Sequence, residues 1–176
     1  MKNLTFLALL AAIVFLKSTA DGFAAGAVSS ALSAGATYHK DHSVFTELPF
    51  GDGDISCQLA YEAHNAAAFW QFVADYAPDL TGTNDVDYAI TPQINLLFKD
   101  GAWRGGAGAL ASYLAGKGDR ESDWTSVYWQ FLLGFEVPVG GLNVGAQALY
   151  RFETWGDLGD FDVGDIEYGG WISYHF

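Results

Sequence analysis

The chain has 176 residues, a length that fits a single domain. It carries 8 basic and 21 acidic residues, and its net charge of −13 argues against a nucleic-acid-binding surface. Aromatic residues make up 16% of the sequence and glycines number 21, whereas lysine and arginine are scarce for a soluble surface, so the composition favours a protein with an apolar exterior.

Residues 1–20 have the pattern of an export signal. Lys2 precedes an apolar run over residues 4–16, and the small residues Ser18 and Ala20 precede Asp21 as at a cleavage site. The apolar run is shorter than the about 20 residues that a membrane-spanning helix needs. We therefore predict a cleaved signal peptide over residues 1–20, with an uncleaved anchor as the alternative.

Residues 21–42 are rich in alanine, glycine and serine and show no clear period. They are predicted to form an N-terminal periplasmic tail. The segment ends with His39, Lys40, Asp41 and His42, which could bind a metal ion only if a helix brought them to one face. Because the helical period is missing, we expect a solvated stretch there instead.

From residue 43 onward, apolar and polar residues alternate in eight segments, which is the period of β-strands. Stretches rich in Gly, Pro and Asp separate the segments and are typical of turns. The predicted strands cover residues 43–50, 55–64, 67–77, 86–98, 102–114, 124–137, 142–153 and 165–176. Pro92 lies inside the fourth segment and lacks an N–H for the ladder, so a bulge or local irregularity is expected there. The pattern predicts an all-β, eight-stranded antiparallel barrel over residues 43–176.

The predicted connections differ in length. Short turns follow strands 2, 4 and 6, and longer polar loops follow strands 3, 5 and 7, which is the asymmetry of an outer-membrane barrel. The short turn 51–54 after the first strand is the exception. The last loop carries Asp157, Asp160, Asp162 and Asp165, whose spacing is not that of an EF-hand. We predict a plain acidic outer loop through which a surface partner could bind, with a calcium site as the alternative.

The polar faces of the strands are predicted to point into the barrel. All lysines after the signal, Lys40, Lys99 and Lys117, fall in the tail, a turn or a loop, whereas a soluble barrel would place lysines along its outer faces. Aromatic residues gather near both ends of the strands, as in the girdles at the two faces of a bilayer. They are Tyr76, Tyr88, Tyr113, Trp124, Tyr150 and Tyr168 at the loop side, and Phe98, Trp103, Phe135, Tyr174 and Phe176 at the turn side.

The last predicted strand carries Tyr168, Ile172, Tyr174 and Phe176 on one face, and the sequence stops at Phe176. This ending resembles the closing strand of bacterial outer-membrane barrels, and residues 43–176 resemble the small eight-stranded barrels of the OmpA-transmembrane and OmpX type. The resemblance implies a transmembrane up-and-down barrel in the bacterial outer membrane. It also implies that these four residues form a terminal signal for the barrel-assembly machinery.

The interior of an eight-stranded barrel is only wide enough for its own side chains. Two charge clusters are predicted inside. The cluster at the turn end contains Arg104, Glu136, Glu62 and His64, and the cluster at the loop end contains Arg151, Glu153, Glu167 and Asp75. Because buried charges need partners, a plug of salt bridges is the favoured interpretation, and a gated or narrow polar conduit lined by Arg104 and Arg151 is the alternative.

Catalytic, metal and cofactor sites are not predicted. Ser173 and His175 share a face but have no evident orienting acid, so packing is the favoured role. We predict a monomeric, non-enzymatic protein with a structural or surface-interaction role, surrounded by outer-membrane lipids. The alternatives are a small porin-like channel or transporter for polar or amphipathic solutes, an outer-membrane enzyme, and a soluble secreted barrel that binds an apolar ligand.

Overall fold

The computed structural model describes residues 29–40, 48–65, 68–78, 80–82 and 85–176. In these residues, ten β-strands form one antiparallel sheet that closes on itself. The strands are β1 (Ser29–Tyr38), β2 (Ile55–His64), β3 (Ala68–Ala77), β4 (Val86–Asp100), β5 (Trp103–Leu110), β6 (Tyr113–Gly116), β7 (Asp123–Trp124), β8 (Tyr128–Val139), β9 (Leu142–Phe152) and β10 (Glu167–His175). Two 3₁₀ helices, η1 (Asp157–Asp160) and η2 (Val163–Asp165), precede β10. No helix in this part of the chain is long and apolar enough to cross a bilayer.

The ten strands occupy eight positions around the barrel, and we call each position a wall. β5 and β6 both pair with β4 and form one wall, and β7 pairs with β6 and leads into β8, which pairs with β5. The pairing of β1 with β10 and of β3 with β4 closes the ring. The molecule is a closed eight-stranded antiparallel barrel, so the predicted fold class is confirmed. Short connections after β2, β4 and β8 define the turn end, and the connections after β1, β3, β6 and β9 define the loop end.

The predicted first strand is wrong. Residues 43–47 lie outside the described residues, and residues 48–50 belong to no strand. The first strand is β1, inside the segment that was predicted to be a tail. Its inward face holds the small residues Ser33, Gly35 and Thr37, which weaken the alternation that sequence reasoning detects. β1 ends at Tyr38 and β2 begins at Ile55, so the connection between them is one of the longer ones and starts and finishes at the loop end. The predicted signal peptide lies outside the described residues.

Pro92 affects the ladder on one side of β4 only. Ala74 pairs with Pro92 in an uninterrupted register with β3. On the other side, the ladder stops at the pair of Gln93 with Leu110 and resumes at the pair of Ile90 with Tyr113. The irregularity predicted for Pro92 therefore appears as the break between β5 and β6, opposite a residue that has no N–H to donate.

The two faces of the wall differ in polarity as the alternation predicts. Large apolar side chains such as Leu59 and Leu133 are exposed on the outside. Polar side chains such as Asn95 and Gln130 are fully buried inside. The barrel thus reverses the usual distribution of a soluble protein, in which the surface is polar.

Candidate functional site

At the turn end, the lumen contains a network of ion pairs around Arg104. The Arg104 guanidinium donates from Nη2 to Glu62 Oε1 at 2.7 Å and from Nη1 to Glu136 Oε2 at 3.1 Å. His64 Nε2 lies 2.9 Å from Glu62 Oε2. Lys99 also pairs with Glu136. We call these five residues the turn-end cluster. The structure brings together the four predicted residues and adds Lys99, which sequence reasoning placed in a turn.

Lys99 reaches the lumen because β4 runs two residues further than the alternation indicates. It lies opposite Arg104 in the pairing of β4 with β5, so both side chains take the inward face. Two cations therefore share two carboxylates, Glu62 and Glu136, that are almost completely buried. This balance of charge offsets the cost of burying the carboxylates.

Aromatic rings enclose the Arg104 guanidinium from the opposite walls. Its Cζ atom lies 4.7 Å from the centroid of Phe69 on β3 and 4.6 Å from that of Trp171 on β10. A guanidinium at this distance from a ring is attracted by the ring's quadrupole. The side chains of β3, β5 and β10 thus meet across the lumen at this level.

At the loop end, a second buried cluster surrounds Glu167. Arg151 Nη1 lies 3.0 Å from Glu167 Oε2, and His39 Nδ1 lies 3.1 Å from Glu167 Oε1. His39 Nε2 lies 2.8 Å from Ser56 Oγ. Asp75 is buried beside these groups and accepts a long, 3.5 Å hydrogen bond from Gln93. We call Arg151, Glu167, His39 and Asp75 the loop-end cluster.

Two predictions at this end are wrong. His39 was expected in a solvated stretch, but it continues the inward face of β1 two residues beyond Thr37 and is fully buried. Glu153 was expected beside Arg151, but β9 ends at Phe152 and the chain turns away. The Glu153 carboxylate instead accepts a hydrogen bond from Ser126 Oγ at 3.3 Å on the exposed surface.

Phe50, predicted to lie on the first strand, covers the loop-end cluster. Its ring stacks on His39 with centroids 3.8 Å apart and an interplanar angle of 5°, and Arg151 Cζ lies 5.3 Å from its centroid. The Asp54 carboxylate holds this loop in place by accepting hydrogen bonds from Gly51 N at 2.7 Å and Thr81 Oγ1 at 2.6 Å. Residues 48–54, after β1, and residues 80–82, after β3, therefore pack together over this part of the barrel mouth.

Side-chain amides connect the two clusters through the middle of the lumen. The chain of donors and acceptors runs from Glu62 to Gln71, Asn95, Gln130, Gln93 and Asp75. The first four hydrogen bonds, counted from Glu62, are 2.8 to 2.9 Å long, and the fifth, to Asp75, is 3.5 Å long. We call this chain the amide ladder. Alternation places each of its residues inside. Gln71 lies directly opposite Glu62 in one strand pair and opposite Asn95 in the next. The contacts of Gln130, in contrast, cross from β8 to the non-neighbouring β4, and no sequence motif encodes them.

The predicted terminal signal lies on the outer wall. Tyr168, Ile172, Tyr174 and Phe176 are all exposed there. Phe176 exchanges two backbone hydrogen bonds with Ser30, donating at 2.8 Å and accepting at 3.0 Å. Phe176 thus belongs to the seam, which is the pairing of β1 with β10 that closes the barrel, while its side chain faces outward.

The Ser173 and His175 side chains lack the geometry of an activated nucleophile. Within the described residues, neither Ser173 Oγ nor His175 Nε2 has a hydrogen-bond partner. The His175 ring instead packs against His64, with centroids 5.1 Å apart. A nucleophile needs a base within hydrogen-bond reach, so this pair contributes packing. No group of three or more His, Cys, Asp or Glu residues that could hold a metal ion occurs in the described part of the chain.

Comparisons with known proteins give weak similarities. The chain is similar to a structure of Ail, the attachment invasion locus protein of Yersinia pestis, with 14% identity, coverage of 84% of this chain and 97% of that chain, and a TM-score of 0.41. A structure of Ail in complex with the heparin analogue sucrose octasulfate gives 14% identity, coverage of 84% and 98%, and a TM-score of 0.34. No protein-family model and no curated protein matches the sequence. At these values the two structures indicate neither a family nor a function for this chain.

In the acidic loop 153–166, two of the carboxylates bind the loop's own backbone. Asp157 accepts hydrogen bonds from Thr154 N at 2.7 Å, Thr154 Oγ1 at 2.8 Å and Glu153 N at 3.1 Å. Asp162 accepts from Gly164 N at 2.8 Å and caps η2. The hydrogen bonds from Thr154 lower the pKa of Asp157 below its ordinary value. These side chains shape the loop.

Acidification is expected to loosen this loop. Because the pKa of Asp157 is lowered in the folded protein, its contribution is present above the ordinary aspartate pKa of about 3.9 and is lost as the pH falls through the lowered value. The protection factor of the Thr154 amide in NMR hydrogen exchange should fall over that range. Asp157→Ala should lower it already at neutral pH, whereas the matched change Asp160→Ala should not. Equal effects of the two changes would show that the hydrogen bonds to Asp157 do not hold this part of the loop.

Proposed function

We propose that this chain is a monomeric, non-enzymatic barrel of the bacterial outer membrane with a structural or surface-interaction role. The placement in a membrane is supported by the apolar outer wall, which would be costly to expose to water, and by the polar lumen. Outward aromatic residues at both ends, such as Tyr76 and Trp124 at the loop end and Phe98 and Trp103 at the turn end, fit two interfacial girdles. Export through the predicted signal peptide and insertion through the terminal signal are parts of the same proposal.

The observation that carries the proposed role is the occupied lumen. The turn-end cluster, the amide ladder and the loop-end cluster follow one another along the axis, and each links several walls by hydrogen bonds or ion pairs. Hydrogen bonds and ion pairs satisfy most polar groups along this path. Within the described residues, Asp75 Oδ1, Gln130 Oε1 and three guanidinium nitrogens of Arg104 and Arg151 have no partner. A plug therefore fits these contacts better than a conduit does. The proposed surface role is assigned to the acidic loops at the loop end.

Purified protein in planar bilayers is expected to show no unitary current steps. The physical reason is that ions would have to displace paired charges at both ends and the amide ladder between them. The double variant Phe50→Gly with Gln130→Gly lacks one side chain at the barrel mouth and one in the amide ladder. A current that these two side chains block should be seen in this variant and not in the unmodified protein. Insertion of both proteins is checked by heat-modifiable migration.

Two outcomes would contradict the proposal. Reproducible current steps from the unmodified protein would establish the channel alternative. Clean solubility without detergent, together with binding of an apolar ligand, would establish the soluble-barrel alternative.

A further inference from the structure

The loop 153–166 lies against the outside of the barrel wall. The Trp155 ring centroid is 5.2 Å from that of Phe152, 5.7 Å from Trp129 and 6.3 Å from Phe131. Trp129 and Phe131 are on the outward face of β8. The loop thus continues down the outer surface, whereas the loops after β1 and β3 close over the lumen.

The loop covers part of the wall that would otherwise face outward. Alternation along β9 places Tyr150 and Phe152 outside, because Arg151 between them faces the lumen. Phe152 is nevertheless only 1% exposed, since Trp155 and Phe131 pack on it. The Phe161 ring lies 4.7 Å from that of Tyr150. The loop therefore shields the upper part of β9.

In place of the surface that it covers, the loop exposes an apolar surface of its own. Trp155 is 59% exposed, Phe161 50% and Val163 66%. Trp155 packs on Trp129 at the start of β8, where Val127 and Trp129 are themselves exposed. The carboxylates of Asp157 and Asp162, in contrast, are held by backbone amides of the loop. A loop that only contacts water is not expected to expose three apolar side chains while the carboxylates of Asp157 and Asp162 bind the backbone of the loop itself.

We propose that the loop 153–166 is an interfacial anchor that holds the outer end of β8 and β9 at the headgroup level of the outer leaflet. This inference rests on the proposed membrane placement. The occupant is lipid because Trp155 and Phe161 pack directly on outward-facing rings of β8 and β9, and because tryptophan and other aromatic rings favour the boundary between acyl chains and headgroups. The apolar side chains of this loop therefore contact the membrane, and the proposed surface role falls to the loop's other side chains and to the other acidic loops.

Quenching of tryptophan fluorescence by brominated phospholipids tests the anchor. Three variants each retain one tryptophan, Trp155, Trp103 or Trp171, with the others replaced by phenylalanine, and are folded into phosphatidylcholine vesicles brominated near the headgroup. Trp103 is exposed on the wall at the turn end and reports on membrane insertion itself. Trp171 is buried in the lumen and serves as the protected control. The Trp155 variant should lose emission to an extent comparable with the Trp103 variant, and the Trp171 variant should keep its emission.

The outcomes separate the anchor from the membrane placement. Quenching of Trp103 without quenching of Trp155 would overturn the anchor and leave the placement intact, and this is the result expected if a protein partner or a second copy covered the loop. Absence of quenching in both would overturn the placement and the anchor together. If the multiple replacements prevent folding, the single change Trp155→Phe in the native chain should reduce the fraction of emission that bromine quenches, and an unchanged fraction would overturn the anchor.

Discussion

Replacing Arg104 with methionine is expected to lower the free energy of unfolding by about 3–5 kcal/mol. Methionine keeps much of the side-chain volume but leaves the buried Glu62 and Glu136 carboxylates without the guanidinium that donates to both. It also removes the cation from the rings of Phe69 and Trp171. The measurement is urea unfolding of the barrel in phospholipid vesicles, followed by tryptophan emission.

Two further variants control for this result. Lys40→Met removes a cation from the pair with Asp52, which is partly exposed to solvent, and should leave the urea midpoint unchanged. Combining Arg104→Met with Glu62→Gln removes the carboxylate that has lost its guanidinium and leaves Lys99 paired with Glu136. This double variant should recover much of the lost stability, because a neutral amide costs less to bury. An Arg104→Met barrel as stable as the original would show that the carboxylates do not depend on Arg104.

Adding a short polar extension after Phe176 is expected to reduce severalfold the amount of barrel assembled in the outer membrane. The expected reason is that the proposed terminal signal requires Phe176 at the end of the last strand. The folded barrel itself should tolerate the extension, because the Phe176 backbone remains bonded to Ser30 and the chain leaves the barrel at the turn end. Assembly is measured as heat-modifiable protein in the membrane fraction, and stability as the urea midpoint after refolding in vesicles.

The matched control places the same extension in the loop 117–122 at the opposite end of the barrel. This insertion should affect neither assembly nor the urea midpoint, because it lies far from the seam between β1 and β10. Normal assembly of the Phe176 extension would contradict a terminal signal. A large loss of refolded stability would show instead that the extension damages the seam.

The sequence predicts a structural feature best where strong alternation and turn residues coincide. The segment 55–64 has both, and β2 occupies those residues. The sequence pattern does not predict β1, because its inward side chains are as small as those of a flexible linker. The strand forms through its pairing with β2 and β10. Backbone hydrogen bonds to neighbours distant in the chain supply what its own residues do not specify.

The candidate site shows the same division. Arg104, Glu62 and Glu136 were expected at one level because each lies near the turn end of its strand on the inward face. His39 and Phe50 were not expected at the other end, because their positions depend on where β1 ends and on how the loops after β1 and β3 pack together. The Asp54 hydrogen bonds to Thr81 that organise this packing join residues far apart in the chain.

The sequence by itself determined the all-β class, seven of the eight walls, the inward direction of the polar side chains and the end at which the charges of the turn-end cluster lie. These properties follow from a period of two along each strand and from the lengths of the connections. Only the tertiary structure decided which inward side chains meet, that Phe50 covers the loop-end cluster, and that the loop 153–166 lies on the outer wall. The reason is that contacts across a lumen depend on the stagger of the walls, and the course of a loop depends on the surfaces available to it, and neither is a property of a single segment.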